Sequence, residues 1–204
     1  MLLDHLAVSG LTLEEATAHV EEALGVRMQP GGQHDVFFTH NTLLGLEDGL
    51  YLEAIATNPA APAPDRPRWF DLDRFSGSAR LTNWICRCDD MRAGLDALSF
   101  DPGAPVKLKR GDLRWTMAVP ADGRLPFDNC APALIEWQTP VHPAQRLKPV
   151  GVRLRRLTIQ HPSADDLAAA LAPHLDDDRI AFQVGSVGLY ADFATPGGAR
   201  TLAS

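Results

Sequence analysis

Two stretches of this chain run through the same order of elements, a strand, a helix and then further strands, and that duplication limits the folds open to it. Leu2 to Val8 alternates apolar side chains as a half-buried strand does. Thr12 and Glu15 form a capping box, Leu13, Ala16, Val20, Ala23 and Leu24 recur at helical spacing, and Gly25 supplies a stop. Strands are predicted over Arg27–Gln29, Phe37–Leu46 and Leu50–Ala56, the last two joined by a tight turn at Glu47-Asp48-Gly49. The order then returns: a strand over Leu81–Cys88, a helix over Asp89–Leu98, and strands over Val106–Arg110, Leu113–Val119 and Ala133–Gln138. A third, partial copy has a strand over Val152–Gln160, a helix over Ala164–Leu175 capped by Ser163, and a hairpin of Ile180–Val184 with Val187–Ala194.

The copies align in short pieces. Leu3-Asp4-His5-Leu6-Ala7-Val8 lies over Leu81-Thr82-Asn83-Trp84-Ile85-Cys86, and Leu154 to Ile159 matches both. Gly49-Leu50-Tyr51-Leu52-Glu53 is echoed by Gly188-Leu189-Tyr190-Ala191-Asp192, with Leu134-Ile135-Glu136-Trp137 in the same place in the middle copy. The expected organisation is α+β: a βαβββ module over residues 1–58, a connector over 59–78, a second module over 79–140 and a shorter βαββ unit over 150–204. Pro59, Pro62, Pro64 and Pro67 make the first part of the connector extended, and Trp69, Phe70, Leu72 and Phe75 anchor it to the body. The last unit reads as structural, with Arg156 and Asp192 placed to pair; it covers a sheet edge or makes a homodimer contact.

Composition narrows the function classes. With 45% hydrophobic residues in a chain of 204, a core can be filled. A formal charge of -7 argues against a nucleic-acid partner. Three cysteines, Cys86, Cys88 and Cys130, make no disulfide framework and read as reduced thiols. The start lacks the basic region and long apolar run of a signal peptide, and no stretch approaches the ~20 apolar residues of a membrane span, so a cytoplasmic protein without a membrane partner is expected. Gly31-Gly32 precedes no helix, which rules out a phosphate loop, and no serine sits in a nucleophile-elbow setting.

The chemistry-bearing residues stand on strands. Strand alternation puts Asp4, Leu6 and Val8 on one face and Leu3, His5 and Ala7 on the other, the concave one. Glu53 among Leu52, Ala54 and Ile55, and Glu136 between Ile135 and Trp137, are carboxylates in apolar strands, where an unpaired charge is costly. A metal, a proton-transfer site or a buried network would each account for them.

At LDHLAVSGLTLEEATAHVEEALGV and GGQHDVFFTHNTLLGLEDGLYLEAI the chain resembles the glyoxalase-like branch of the vicinal oxygen chelate superfamily, over residues 2–57 and more weakly through ALIEWQTPVHPAQRL to about residue 147. The resemblance implies two βαβββ modules forming a cupped sheet with a divalent metal inside, its ligands taken from the first and last strands of each module. Carried over by position, these are His5, Glu53 and Glu136, with Asn83 at the fourth place, where the family pattern has His, Glu or Gln. One His and two carboxylates suit Zn, Fe, Mn or Ni. Such a metal would polarise a substrate oxygen while a carboxylate, Glu136, moves a proton. The resemblance also includes His40, as a general base or pocket wall, beside Asn41. Asn41, Asn83, Trp84 and Trp115 are the expected substrate contacts, Trp137 belongs to the same aromatic set, and His34 is expected on an exposed loop. Two readings stay open: a metal-dependent lyase, isomerase or dioxygenase acting on a small oxygen-rich molecule, or a non-catalytic small-molecule binding or sequestering protein using the same cup. A structural interaction module becomes the better reading if the cup is filled by its own side chains.

Overall fold

In the computed structural model, which describes all 204 residues, the first helix begins and ends where its caps dictate. Thr12 Oγ1 accepts the backbone N–H of Glu15 at 3.1 Å, and Gly25 takes a left-handed conformation, φ 69°, that returns its own N–H to the helix. The first module comprises β1 (Leu2–Ser9), α1 (Leu13–Leu24), β2 (Gln29–His34), β3 (Thr39–Gly45) and β4 (Tyr51–Thr57). The second comprises β5 (Arg80–Arg87), α2 (Met91–Ala97), β6 (Ala104–Arg110), β7 (Leu113–Val119) and β8 (Ala133–Trp137). Their eight strands form one sheet, ordered β2-β3-β4-β1-β5-β8-β7-β6, which curls until its edge strands β2 and β6 touch. The second strand lies later than Arg27–Gln29 because Pro30 is tolerated at a sheet edge, and the ladder resumes beyond Gly31-Gly32.

The modules meet at the antiparallel pair β1–β5, where Leu6 faces Trp84, His5 faces Ile85 and Ala7 faces Asn83. Exchanging the modules about that centre superposes His5 on Asn83 and Ala7 on Ile85. Each strand carries a bulge at the corresponding place, at Asp4 and at Thr82. The bulge overturns the simple alternation expected of β1. Leu3, Leu6 and Val8 pack on the convex side, whereas His5, Ala7 and the carboxylate of Asp4 belong to the cup.

The C-terminal unit is β9 (Arg153–His161), α3 (Ala164–Leu171), β10 (Ile180–Val184), β11 (Gly188–Thr195) and β12 (Gly198–Ala203), one strand more than expected. Its sheet runs β10-β9-β11-β12. Ile180–Val184 and Val187–Ala194 therefore make no hairpin; β10 lies parallel to β9 on one side, and β11 antiparallel to it on the other. In the first module the last strand runs parallel to the first, so the unit is not a third copy despite its echoing residues. Arg156 and Asp192 face each other across β9 and β11 without an ion pair, and Asp192 instead accepts the Thr201 hydroxyl at 2.7 Å.

The unit lies over the convex face rather than a sheet edge. Helix α2 has only seven residues. Leu154, Leu157, Ile159, Leu189 and Phe193 join Leu6, Val8 and Trp84 in one continuous core, and Phe182 approaches Trp84 at 6.4 Å between ring centroids. A second core fills the concave side: Ala7, Ile55, Ile85, Trp115, Met117 and Ile135, closed by Trp69 and Phe70 of the connector. No helix is long and apolar enough to cross a membrane.

Candidate functional site

The concave face converges on a cavity of about 30 Å³ lined by His5, His34, Asn41, Tyr51, Glu53 and Arg110 among aromatic and aliphatic walls. His5 comes from β1 and Glu53 from β4, which pairs with it; His5 Nε2 and Glu53 Oε2 stand 3.8 Å apart, both residues buried. That gap exceeds a hydrogen bond and fits a bridging atom. Glu53 Oε1 accepts the Asn41 amide at 2.5 Å, the one hydrogen bond to this carboxylate.

The bulge at Asp4 organises His5. Asp4 is fully buried, yet one oxygen accepts His5 Nδ1 at 2.6 Å, while the other accepts His142 Nε2 at 2.8 Å and the Trp137 indole at 3.1 Å. His142 Nδ1 accepts the Ala144 N–H, which assigns the proton to Nε2. Arg87 adds a charge 3.7 Å from the same carboxylate. Burial pushes the Asp4 carboxyl up, but hydrogen bonds from His142 and His5 outweigh it, so the group is held well below the usual carboxylate range. Tyr51 stacks on the His5 ring, centroids 4.3 Å apart; burial, then the charges of Asp4 and Glu53, pushes its phenol well above its ordinary value.

Across the cup, Arg110 donates to Asn41 Oδ1 at 3.1 Å and to His34 Nε2 at 3.3 Å. His34 Nε2 is thus an acceptor, and Nδ1–H donates to Thr39 Oγ1 at 2.9 Å. Burial, and next the Arg110 charge, lowers the His34 imidazole to about 3, which keeps it neutral. The glycine pair explains how these groups come so close. A Cβ on Gly31 would stand 2.1 Å from Asn41 Oδ1, and one on Gly32 would stand 2.6 Å from Arg110 Cδ. With no side chain there, Gly32 N–H donates to Asn41 Oδ1 at 2.8 Å.

Several expected site residues lie elsewhere. Glu136 projects from the convex face of β8, between the inward Ile135 and Trp137, and accepts the Met91 N–H at the start of α2 at 3.0 Å. The module exchange explains the misplacement. Glu53 pairs with Ala7, so its counterpart pairs with Ile85 and is Ala133. Glu136 lies three residues further on, and an odd offset reverses the face. His40 alternates with Asn41 and so points away from the cup, its Nε2 buried without a partner. Trp84 is a convex-face core residue that donates to the Cys130 carbonyl at 2.8 Å. Asn83 sits on the cup face, fully buried, with both amide atoms unpartnered, but does not line the cavity. Asn41 and Trp115 do line it. His34, expected exposed, is buried against Trp69 and Trp115, at ring-centroid distances of 5.0 and 6.1 Å.

A divalent ion fits this donor set poorly. No group of three or more His, Cys, Asp or Glu side chains is placed to share one. His5 and Glu53 are the two donors that converge, while the second module offers Asn83, which does not reach the cavity, and Ala133. A guanidinium in the same cavity adds repulsion.

A doubled βαβββ sheet curled around a polar-ended apolar cup defines a vicinal-oxygen-chelate fold. The glyoxalase-like domain family model matches residues 3–175, and the chain belongs to that family. Among solved structures, a hypothetical protein from Staphylococcus aureus is similar over 91% of this chain and 87% of its own, at 12% identity and a TM-score of 0.63. Methylmalonyl-CoA epimerase from Mycobacterium tuberculosis aligns over 66% of this chain and 85% of its own, at 18% identity and a TM-score of 0.38. A 4-hydroxymandelate synthase mutant from Streptomyces coelicolor aligns over 98% of this chain and 62% of its own, at 16% identity and a TM-score of 0.46. At these identities the first likeness is one of fold. No curated protein matches the chain.

Proposed function

We propose that the protein binds a small oxygen-rich molecule in the cup, with its polar end at Glu53 and His5 and its apolar part against Trp115, Trp137 and Met117. The observation that carries this reading is the Glu53 carboxylate: buried, with a single hydrogen bond, it lacks the partners a buried charge requires. A ligand hydroxyl or amine between Glu53 Oε2 and His5 Nε2 supplies one. The binding function is favoured over a metal-dependent lyase, isomerase or dioxygenase using Zn, Fe, Mn or Ni, because that chemistry asks for at least three convergent donors.

A cavity of about 30 Å³ holds a water rather than a substrate, so a ligand must displace the plug formed by Trp69 and Phe70. Phe70 and Asp71 both hold left-handed backbone, φ 58° each, at a cost on the order of 1–3 kcal/mol per residue, which favours a rearranged plug. The same fullness supports the second reading, a structural module whose cup is filled by its own side chains. Thermal-shift screening of small hydroxylated and carboxylated compounds against wild type and Trp69→Ala separates the two. A ligand that raises the Tm of either protein, with the shift abolished by Glu53→Gln, supports binding in the cup. Silence in both proteins at millimolar concentrations rejects it in favour of the structural module.

A further inference from the structure

We infer that the cup selects a small carboxylic acid bearing a hydroxyl or amino group, its carboxylate held by Arg110, and that it takes this ligand in place of a divalent cation. The inference rests on the cup being a binding site and adds the class of ligand.

Arg110 is the one cationic side chain lining the cavity, and it takes part in no ion pair. Its two side-chain hydrogen bonds, to His34 Nε2 and Asn41 Oδ1, both run from one nitrogen to uncharged acceptors. Two neutral groups thus fix the guanidinium, and its other N–H donors stay available for the bidentate contact that carboxylates favour. Glu53 is not its counter-ion. Asn41 stands between them, accepting from Arg110 at Oδ1 and donating to Glu53 from Nδ2.

The cavity is therefore polarised, with a guanidinium at one end and the Glu53 carboxylate at the other. An anionic group at Arg110 and a hydrogen-bearing group at Glu53 complement both ends, whereas a divalent cation would meet only two converging donors and the repulsion of Arg110.

Calorimetric titration with lactate, malate and alanine, their neutral amides, and Zn²⁺, Mn²⁺ or Ni²⁺ as chlorides tests this directly. At least one acid is expected to bind about tenfold or more tightly than its amide. Arg110→Gln should abolish that preference, Arg110→Lys should retain part of it, and circular dichroism confirms that each variant is folded. Equal binding of acid and amide, or an Arg110→Gln protein that still prefers the acid, overturns the inference while leaving the cup a binding site. Stoichiometric binding of one divalent cation, lost in His5→Ala, overturns it as well and restores the metal site. No binding of any probe, in wild type or in Trp69→Ala, removes the inference together with the binding function.

Discussion

Lowering the pH from 6.5 to 4.5 should destabilise this protein through one buried imidazole, His34. The ring is buried between Trp69 and Trp115, its Nε2 accepts from Arg110, and its imidazole is lowered to about 3. In the unfolded chain it titrates near the ordinary 6.5. Above pH 6.5 both states hold the ring neutral and it contributes nothing to the pH dependence. Below 6.5 the unfolded chain takes up a proton that the folded state refuses, so stability falls as pH falls until the folded value is reached. The slope starts at half its full value at pH 6.5 and rises to about 1.4 kcal/mol per pH unit, so the two units cost about 2 kcal/mol, a substantial fraction of a typical domain stability of about 5–15 kcal/mol. Asp4 does not confuse this window. Its carboxyl is held below its ordinary 3.8, so the stability it confers is complete above 3.8 and declines only under more acidic conditions. Urea unfolding at pH 7.5, 6.5, 5.5 and 4.5 supplies the wild-type slope, and the same series on His34→Gln supplies the control. The variant starts lower, having lost its edge contacts with two tryptophans, but its stability should decline less steeply, by up to about 1.4 kcal/mol per pH unit below 6.5. Parallel slopes for the two proteins would refute the buried neutral imidazole.

Two further outcomes follow from side chains placed differently from, or missed by, the sequence reading. Glu136→Ala removes the acceptor for the Met91 N–H and should lower stability by about 1 kcal/mol in urea while leaving ligand affinity unchanged; a large loss of affinity would return Glu136 to the cup. Asp4→Asn substitutes an amide that cannot accept from His5, His142 and Trp137 at once, and should cost about 3–5 kcal/mol; a loss under 1 kcal/mol would contradict the buried network.

The fold was legible where its signals are local. The Thr12 and Gly25 caps, the turn at Glu47-Asp48-Gly49 and the match of β1 with β5 all depend on a few adjacent residues, and the β1–β5 pairing places Leu6 opposite Trp84 as that match requires. The C-terminal unit was misread because strand order is a long-range property. Nothing in Gly188-Leu189-Tyr190 distinguishes a strand that pairs parallel to the first, as Tyr51 does with His5, from one that pairs antiparallel, as Tyr190 does with Thr158. Bulges are equally silent, and one at Asp4 was enough to move a carboxylate from the convex to the concave side.

The site was half legible for a related reason. His5 and Glu53 stand out as polar residues in apolar strands, a local anomaly. Glu136 is the same anomaly, yet its carboxylate caps a helix, because an isolated charge on a strand reveals that it needs a partner without revealing on which face the partner lies. Arg110 and His34 gave no anomaly at all, the first ending an edge strand and the second following a glycine loop. What marks them is Gly31-Gly32, a pair that no helix follows and that is therefore no phosphate loop. Glycine suits a place where a side chain crosses the backbone at contact distance, and here Asn41 crosses at Gly31 and Arg110, from the other module, at Gly32. In this edge strand Gly32 therefore points across the contact between β2 and β6, to the Arg110 that the other module delivers there.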